Sequence, residues 1–171
     1  GRVILPEPHL VLFMLIALYS YIRYYDSGRL LSLFSYLLFM TLAVLMKPTS
    51  LIIGIPILLY SLFGAKPDLK RLIMVALASV LSVIPYALWR SYVAKYPAGI
   101  PANSWLFNGN GIRFKGAWLR WLFGDRIGRL ILGYWGMIPL GFGFLSLGRN
   151  RRETTIVGGM ALGSLVYLSV I

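Results

Sequence analysis

Six apolar runs follow one another along the chain, separated by short polar or basic stretches. They cover residues 10–25, 30–46, 51–63, 69–89, 127–147 and 154–171. A bilayer core is crossed by about 20 mainly apolar residues of α-helix. The pattern therefore predicts an all-α, polytopic transmembrane bundle of about six spans, with residues 1–171 forming one transmembrane domain.

The third run, 51–63, is the shortest and contains Pro56. Joined to the second run it would make a helix too long for one crossing, and Lys47-Pro48 would interrupt that helix. Two interpretations remain open. Residues 51–63 form a short span of their own, or they form a re-entrant segment.

Composition supports a lipid environment. Hydrophobic residues make up 58% of the chain, charged residues 13%, and the mean hydropathy is +0.76. A soluble domain is typically about 45–50% apolar and about 25% charged. The net charge of +12 would suit nucleic acid in a soluble protein, but here we expect it to meet anionic headgroups of membrane lipids, with no nucleic-acid partner. The absence of cysteine excludes disulfides and thiolate metal sites.

The distribution of basic residues assigns the loops between the predicted spans to the two sides of the membrane. If every run crosses, three basic turns share one face, which the positive-inside rule makes cytoplasmic. These turns contain Arg23 and Arg29, then Lys66, Lys70 and Arg71, then Arg149, Arg151 and Arg152. Glu7, Lys47 and a long extracytoplasmic loop, 91–126, fall on the opposite face.

The long loop is predicted to contain an amphipathic helix, 112–123. At 100° per residue Phe114, Trp118 and Trp121 share an arc of roughly 60°, with Arg113 and Arg120 on an adjacent face. Such a helix is typical of the membrane interface. Two interpretations are open: an aromatic anchor, or a site where the arginines bind an anionic lipid-linked phosphate.

Acidic residues are few, and no predicted span contains one. Asp26, Asp68 and Glu153 lie in predicted cytoplasmic turns beside Lys or Arg, where we expect them to be solvated loop charges. Proton-coupled transport normally requires carboxylates within spans, which argues against an ion-coupled transporter. No set of residues has metal-ligand spacing, so no metal ligand is assigned.

Glu7, in Pro6-Glu7-Pro8-His9, precedes the first span on the predicted outer face. It suits a helix N-terminus, where an acid favours the dipole. It also suits a functional carboxylate at the membrane boundary, which would act as a base or as a metal ligand with His9 assisting. Lys47 is either a snorkelling side chain at a helix end or a contact to a phosphate, and it shares its side with Glu7.

Gly159-x-x-x-Gly163, in the last run, is a close-packing motif of membrane helices. We expect it to pack against another helix of the same protein.

The order of these features resembles the polyprenyl-phosphate-dependent glycosyltransferases of the GT-C type. The resemblance rests on Pro6-Glu7-Pro8-His9-Leu10, on Leu45-Met46-Lys47-Pro48 and Ile55-Pro56, and on Arg113-Phe114 with the aromatic, basic stretch after it. Within that class the chain looks like the central part of the branch with aminoarabinose transferases and protein O-mannosyltransferases, the family-39-like transferases.

The resemblance implies transfer of a sugar from a polyprenyl-phosphate donor to a lipid, glycan or protein acceptor. The transfer would take place on the outer face of a bacterial or archaeal plasma membrane. The resemblance also implies that Glu7 is catalytic, that Lys47, Arg113 and Arg120 bind the donor phosphate, and that His9 and Lys115 assist. It leaves a divalent cation open as a cofactor. The family's principal acid follows its first span, so we expect it upstream of Gly1 and expect this chain, which looks truncated at both ends, to be inactive alone.

Two other classes of function stay open on the sequence. A flippase or transporter module for lipid-linked sugars needs no charge within its spans if it is not ion-coupled. A non-catalytic membrane scaffold needs no site at all.

Overall fold

The structure is a computed structural model that describes residues 7–64, 68–96, 115–146, 148 and 150–170, and every regular element in those ranges is a helix. The predicted all-α class is confirmed. The helices are α1 (Glu7–Ser27), α2 (Leu30–Met46), α3 (Pro48–Gly64), α4 (Leu69–Val93), α5 (Gly116–Leu119), a π-helix (Arg120–Ile131), α6 (Met137–Ser146) and α7 (Arg151–Val170).

Helices α1 and α2 form an antiparallel pair joined by a tight turn. Gly28 ends α1 with φ +70°, and its N–H donates to the Tyr24 carbonyl at 2.8 Å. Glycine suits this position because the left-handed region strains residues that carry a Cβ. The pair has two ends, which we call the Glu7 end and the Asp26 end.

Lys47 separates α2 from α3, as the sequence predicts. Its backbone is extended, with φ −150° and ψ 122°, because proline disfavours the helical region for the residue before it. Pro48 then begins α3, where its missing N–H costs no helical hydrogen bond.

Helix α3 changes its winding along its length. It starts as a 3₁₀-helix (Pro48–Ile53), continues as α-helix (Gly54–Leu59) and ends as a π-helix (Tyr60–Gly64). It starts next to Lys47 at the Glu7 end, and Tyr60 near its finish contacts Asp26 at 3.0 Å. A re-entrant segment would return to the side where it began. Helix α3 instead runs from one end of α1 to the other.

Helix α4 also starts at the Asp26 end and lies against α2. Asp68 caps it by accepting from the Arg71 N–H at 3.1 Å. By length and apolar composition, α4 is the one helix within the described ranges that could cross a membrane, and α2, α3 and α6 are apolar but shorter. The predicted number of about six spans is therefore larger than these two criteria support.

Helix α7 packs closely on α3 through the predicted glycine motif. A Cβ on Gly159 would lie 2.5 Å from the Pro56 Cα, and one on Gly163 would lie 3.3 Å from the Ile52 carbonyl oxygen. Glycine at these positions lets the two backbones approach. The prediction that this motif packs within the chain is confirmed.

The core of the bundle lies between α1, α2, α3 and α4. It contains a set of tyrosines together with aliphatic side chains: Tyr21, Tyr24, Tyr25, Tyr36, Tyr60, Leu18, Met40, Val44, Ile53, Ile57 and Val75. The α1 members recur every three or four residues, which places them on one helical face. Large aliphatic side chains cover the outside of the same helices, for example Leu31, 82% exposed, and Leu69, 71% exposed.

Residues 115–146 differ from the prediction in two ways. The apolar run 127–147 is not one helix, because Gly133 and Tyr134 adopt positive φ and end the π-helix before α6 begins. Helix α6 has 10 residues, or about 15 Å at 1.5 Å per residue, which is half a bilayer core of about 30 Å.

The structure also changes the bounds predicted for the interfacial helix, 112–123, and for the loop, 91–126. Helix α4 continues to Val93, and helical structure from Gly116 continues to Ile131. Because π-helical winding replaces α-helical winding from Arg120, the spacing of 100° per residue does not hold beyond that point. Arg113 and Phe114 lie outside the described residues.

Candidate functional site

Glu7 and Lys47 form an ion pair at one end of the bundle. The Lys47 Nζ lies 2.5 Å from Glu7 Oε1, and the two side chains are 40% and 48% exposed. Glu7 is the first residue of α1 and Lys47 is the break between α2 and α3, so the antiparallel packing of α1 and α2 brings them together across 40 positions. The sequence predicted that Glu7 and Lys47 share one side of the bundle, and the structure shows that their side chains are in direct contact.

The charge of Lys47 acts on the carboxyl group of Glu7. Because the Lys47 ammonium donates a hydrogen bond to it, the pKa of Glu7 lies below its usual value of 4.5. The N-terminal position in α1 acts in the same direction, since free backbone N–H groups favour a negative charge there. Glu7 is therefore ionised at neutral pH and able to accept a proton.

The other predicted site residues are not joined to this pair. His9 is exposed and two positions after Glu7, and residues two apart on a helix do not face each other. No hydrogen bond or ion pair within the described ranges links Lys115 or Arg120 to Glu7 or Lys47, and both are exposed. Arg113 lies outside those ranges.

An apolar groove opens beside the Glu7 end, between α1, α3 and α7. Its volume is about 190 Å³. Val11, one helical turn after Glu7, belongs to its wall, and Leu18 lies two turns further along α1. The full lining is Val11, Met14, Leu15, Leu18, Ile52, Ile53, Pro56, Met160, Gly163 and Ser164. The groove thus combines an apolar wall with an ion pair one turn beyond it.

The Asp26 end carries charged contacts that correct one prediction. Asp26 and Asp68 are not simply solvated loop charges. Asp26 accepts from the Tyr60 hydroxyl at 3.0 Å and pairs with Arg152, while Asp68 pairs with Arg71 at 3.0 Å. Arg71 also donates to the Tyr25 carbonyl. These contacts join α1, α3, α4 and α7 at one end.

Sequence patterns missed the Asp26–Arg152 pair because its members are 126 positions apart. The Asp68–Arg71 pair was open to detection, since an Asp three residues before an Arg at a helix start is a capping pattern. Glu153 keeps a local role and accepts from the Asn150 side-chain amide at 3.0 Å.

Buried hydroxyl groups form a second feature that sequence patterns missed. The Tyr21 hydroxyl lies 2.5 Å from Ser61 Oγ, and the Tyr36 hydroxyl lies 2.6 Å from Ser79 Oγ. Each pair joins two helices and leaves its polar atoms satisfied. These hydroxyls pair with each other and with backbone carbonyls, so we assign them to helix packing.

No three His, Asp or Glu side chains gather as a metal site in the part of the chain that the structure describes. Glu7 with His9 alone would make an incomplete ligand set. Comparison with known proteins adds no assignment: no family model, no curated protein and no solved structure matches the chain.

Proposed function

We propose that this chain belongs to a membrane glycosyltransferase that moves a sugar from a polyprenyl-phosphate donor to an acceptor at the Glu7 end. The observation that carries the proposal is the Glu7–Lys47 ion pair at 2.5 Å. A carboxylate and an ammonium group at the water-facing end of apolar helices are the base and the phosphate ligand that such a transfer needs. The resemblance to GT-C transferases supports the same roles.

The membrane topology is part of the proposal. Helices α1, α2, α3, α4 and α7 each cross, and residues 132–147, which follow the π-helix, add a shorter, interrupted crossing. Support comes from the large aliphatic side chains on the outside of the bundle, since lipid is the solvent that accepts such a surface. Short helices are accommodated by local thinning of the bilayer.

The donor lies with its phosphate at Lys47 and its isoprenoid chain in the groove of α1, α3 and α7. The groove wall is apolar from Val11 to Leu18, which matches a hydrocarbon chain. Its position next to the ion pair keeps the lipid tail within the bilayer while the phosphate meets the ammonium group at the surface.

The reaction follows from these positions. Glu7 removes the proton of an acceptor hydroxyl as the hydroxyl oxygen bonds to the anomeric carbon of the sugar. The bond from that carbon to the phosphate oxygen breaks, and the electron pair leaves on the polyprenyl phosphate. Lys47 stabilises the charge that develops on this leaving group.

Glu7 and the donor phosphate compete for Lys47. In the absence of donor, Lys47 lowers the pKa of Glu7, which makes the carboxylate a weaker base. A phosphate that draws Lys47 away removes this effect, and the pKa of Glu7 rises. The base is thus strengthened when donor is bound.

The proposal is tested in the full-length protein that contains this chain, reconstituted in vesicles with radiolabelled polyprenyl-phosphate sugars. Glu7→Gln is expected to lower transfer about 100-fold or more, the size of a general-base effect, with unchanged expression. The matched control is Glu153→Gln, at an exposed acid in the first turn of α7 near the Asp26 end, which is expected to keep full activity.

Transfer by Glu7→Gln at the wild-type rate would overturn the proposal. Movement of the labelled lipid between leaflets without transfer to any acceptor would assign the chain to the flippase class instead.

A further inference from the structure

The segment 115–131 carries a cluster of cations that the Glu7–Lys47 site does not use. Lys115, Arg120, Arg126 and Arg129 are all exposed, and Asp125 is the one carboxylate among these residues. Within the described ranges none of the four cations has an ion-pair partner.

Large apolar side chains alternate with these cations. Trp121 and Phe123 are 44% and 46% exposed, and Ile131 is 74% exposed. The Arg126 guanidinium carbon lies 4.7 Å from the centre of the Trp121 ring, a cation–π arrangement. The two groups therefore present charge and aromatic surface side by side.

From this combination we infer that residues 115–131 form a docking surface for the anionic headgroups of membrane lipids. Charge complementarity selects the partner, because each basic residue near an anionic membrane surface adds attraction. The exposed Trp and Phe side chains need an apolar environment next to those headgroups, which the interface provides. Nucleic acid would satisfy the cations but would leave Phe123 and Ile131 in water.

This inference is independent of the transferase reaction, because it needs only that the chain be in a bilayer. Lipid docking at 115–131 and catalysis at Glu7 would fail separately.

The chain has no cysteine, so a single introduced thiol can be labelled without background. Ala117→Cys places an environment-sensitive fluorophore in the segment. Labelled protein is reconstituted in phosphatidylcholine vesicles with or without phosphatidylglycerol, and quenching by lipids brominated on their acyl chains is measured. We expect phosphatidylglycerol to increase the quenching and salt to reverse the increase.

The test variant adds Arg120→Gln, Arg126→Gln and Arg129→Gln to the labelled protein. Its docking equilibrium is expected to weaken by about fivefold for each cation removed, so that most of the phosphatidylglycerol effect is lost. The matched control removes three exposed cations at the Asp26 end, with Arg29→Gln, Lys70→Gln and Arg151→Gln, and is expected to keep the effect.

Quenching that is independent of phosphatidylglycerol, or that falls equally in both triple variants, would overturn the inference. A change in the fluorescence of the Ala117→Cys label when duplex DNA is added to protein in phosphatidylcholine vesicles would assign the cations to nucleic acid. That result would overturn the inference as well. A label at Leu77→Cys, on the exposed side of α4, reports insertion. Its failure to be quenched in any vesicle would overturn the membrane placement on which the inference depends.

Discussion

Two regions of the molecule are rich in apolar residues: the bundle of α1–α4 and α7, and the segment 115–146. They differ in how many of those residues are buried against other helices. In the bundle, tyrosines and small residues face one another, and hydroxyl pairs such as Tyr21–Ser61 join the helices. In segment 115–146, Leu122 and Gly128 are the residues that become buried. Hydrophobicity alone therefore does not make a helix part of the core. Close packing needs small residues and paired polar groups at the contact.

The largest difference in stability between the two regions is expected when a glycine in each is replaced by a residue with a large side chain. Gly159→Leu puts a Cβ within 2.5 Å of the Pro56 Cα, so α7 has to move away from α3. Overpacking of this kind costs about 3 kcal/mol. The expected result is a lower thermal unfolding temperature in detergent and faster proteolysis.

The matched control for this change is Gly143→Leu in α6, where an added Cβ meets nothing within 4 Å. We expect its unfolding temperature to equal that of the wild type. Equal destabilisation by both substitutions would remove the distinction between a packed bundle and an unpacked segment.

A smaller effect is expected from the buried hydroxyls. Tyr21→Phe removes the hydroxyl that contacts Ser61 Oγ and donates to the Ile57 carbonyl at 3.1 Å. Ser61 keeps its own bond to that carbonyl, so the loss is about 1 kcal/mol. Chemical denaturation in detergent measures it.

Tyr134→Phe is the corresponding change in segment 115–146, where the tyrosine is 62% exposed. It is expected to leave stability unchanged. A loss as large as that of Tyr21→Phe would mean that the buried hydroxyl pairs do not distinguish the bundle.

The smallest effect concerns pH at the Glu7 end. Since the folded pKa of Glu7 lies below 4.5, the contribution of the ion pair to stability is fully present above about pH 4.5 and is lost as the pH falls through the folded value. Both side chains are about half exposed, so solvent screens the pair. The unfolding temperatures of wild type and Glu7→Gln should differ by a constant amount from pH 8 to pH 5 and converge at lower pH.

In a Lys47→Met background this pH-dependent difference should become smaller, because the hydrogen bond from Lys47 is the largest cause of the lowered pKa of Glu7 and only the effect of the helix N-terminus remains. A difference that keeps its full size there would attribute the effect to the helix N-terminus rather than to Lys47.

Local sequence signals predicted much of the bundle. The bounds of α2 agree with its apolar run, 30–46, and the break at Lys47 follows from Pro48. Proline acts on its immediate neighbour, so a short stretch of sequence contains the whole cause. The same holds for Gly159 and Gly163, whose spacing puts them on one helical face.

Local signals failed where an apolar run contained a turn. Residues 127–147 have the length of a span, but Gly133 and Tyr134 take left-handed backbone angles and divide it. A tyrosine in the sequence does not predict a positive φ. Hydropathy averaged over a window does not detect a turn of a few residues.

By itself the sequence determined the helical class and, to within a few residues, the ends of the main apolar helices, because each of these depends on residues close together in the chain. It also predicted that Glu7 and Lys47 share one end of the bundle, since one apolar run leads away from Glu7 and the next leads back to Lys47. Only the tertiary structure decided that Lys47 touches Glu7 and that Asp26 meets Arg152. It also decided which of the apolar helices bury a face. Those contacts join positions tens of residues apart, and they exist only once the helices have packed.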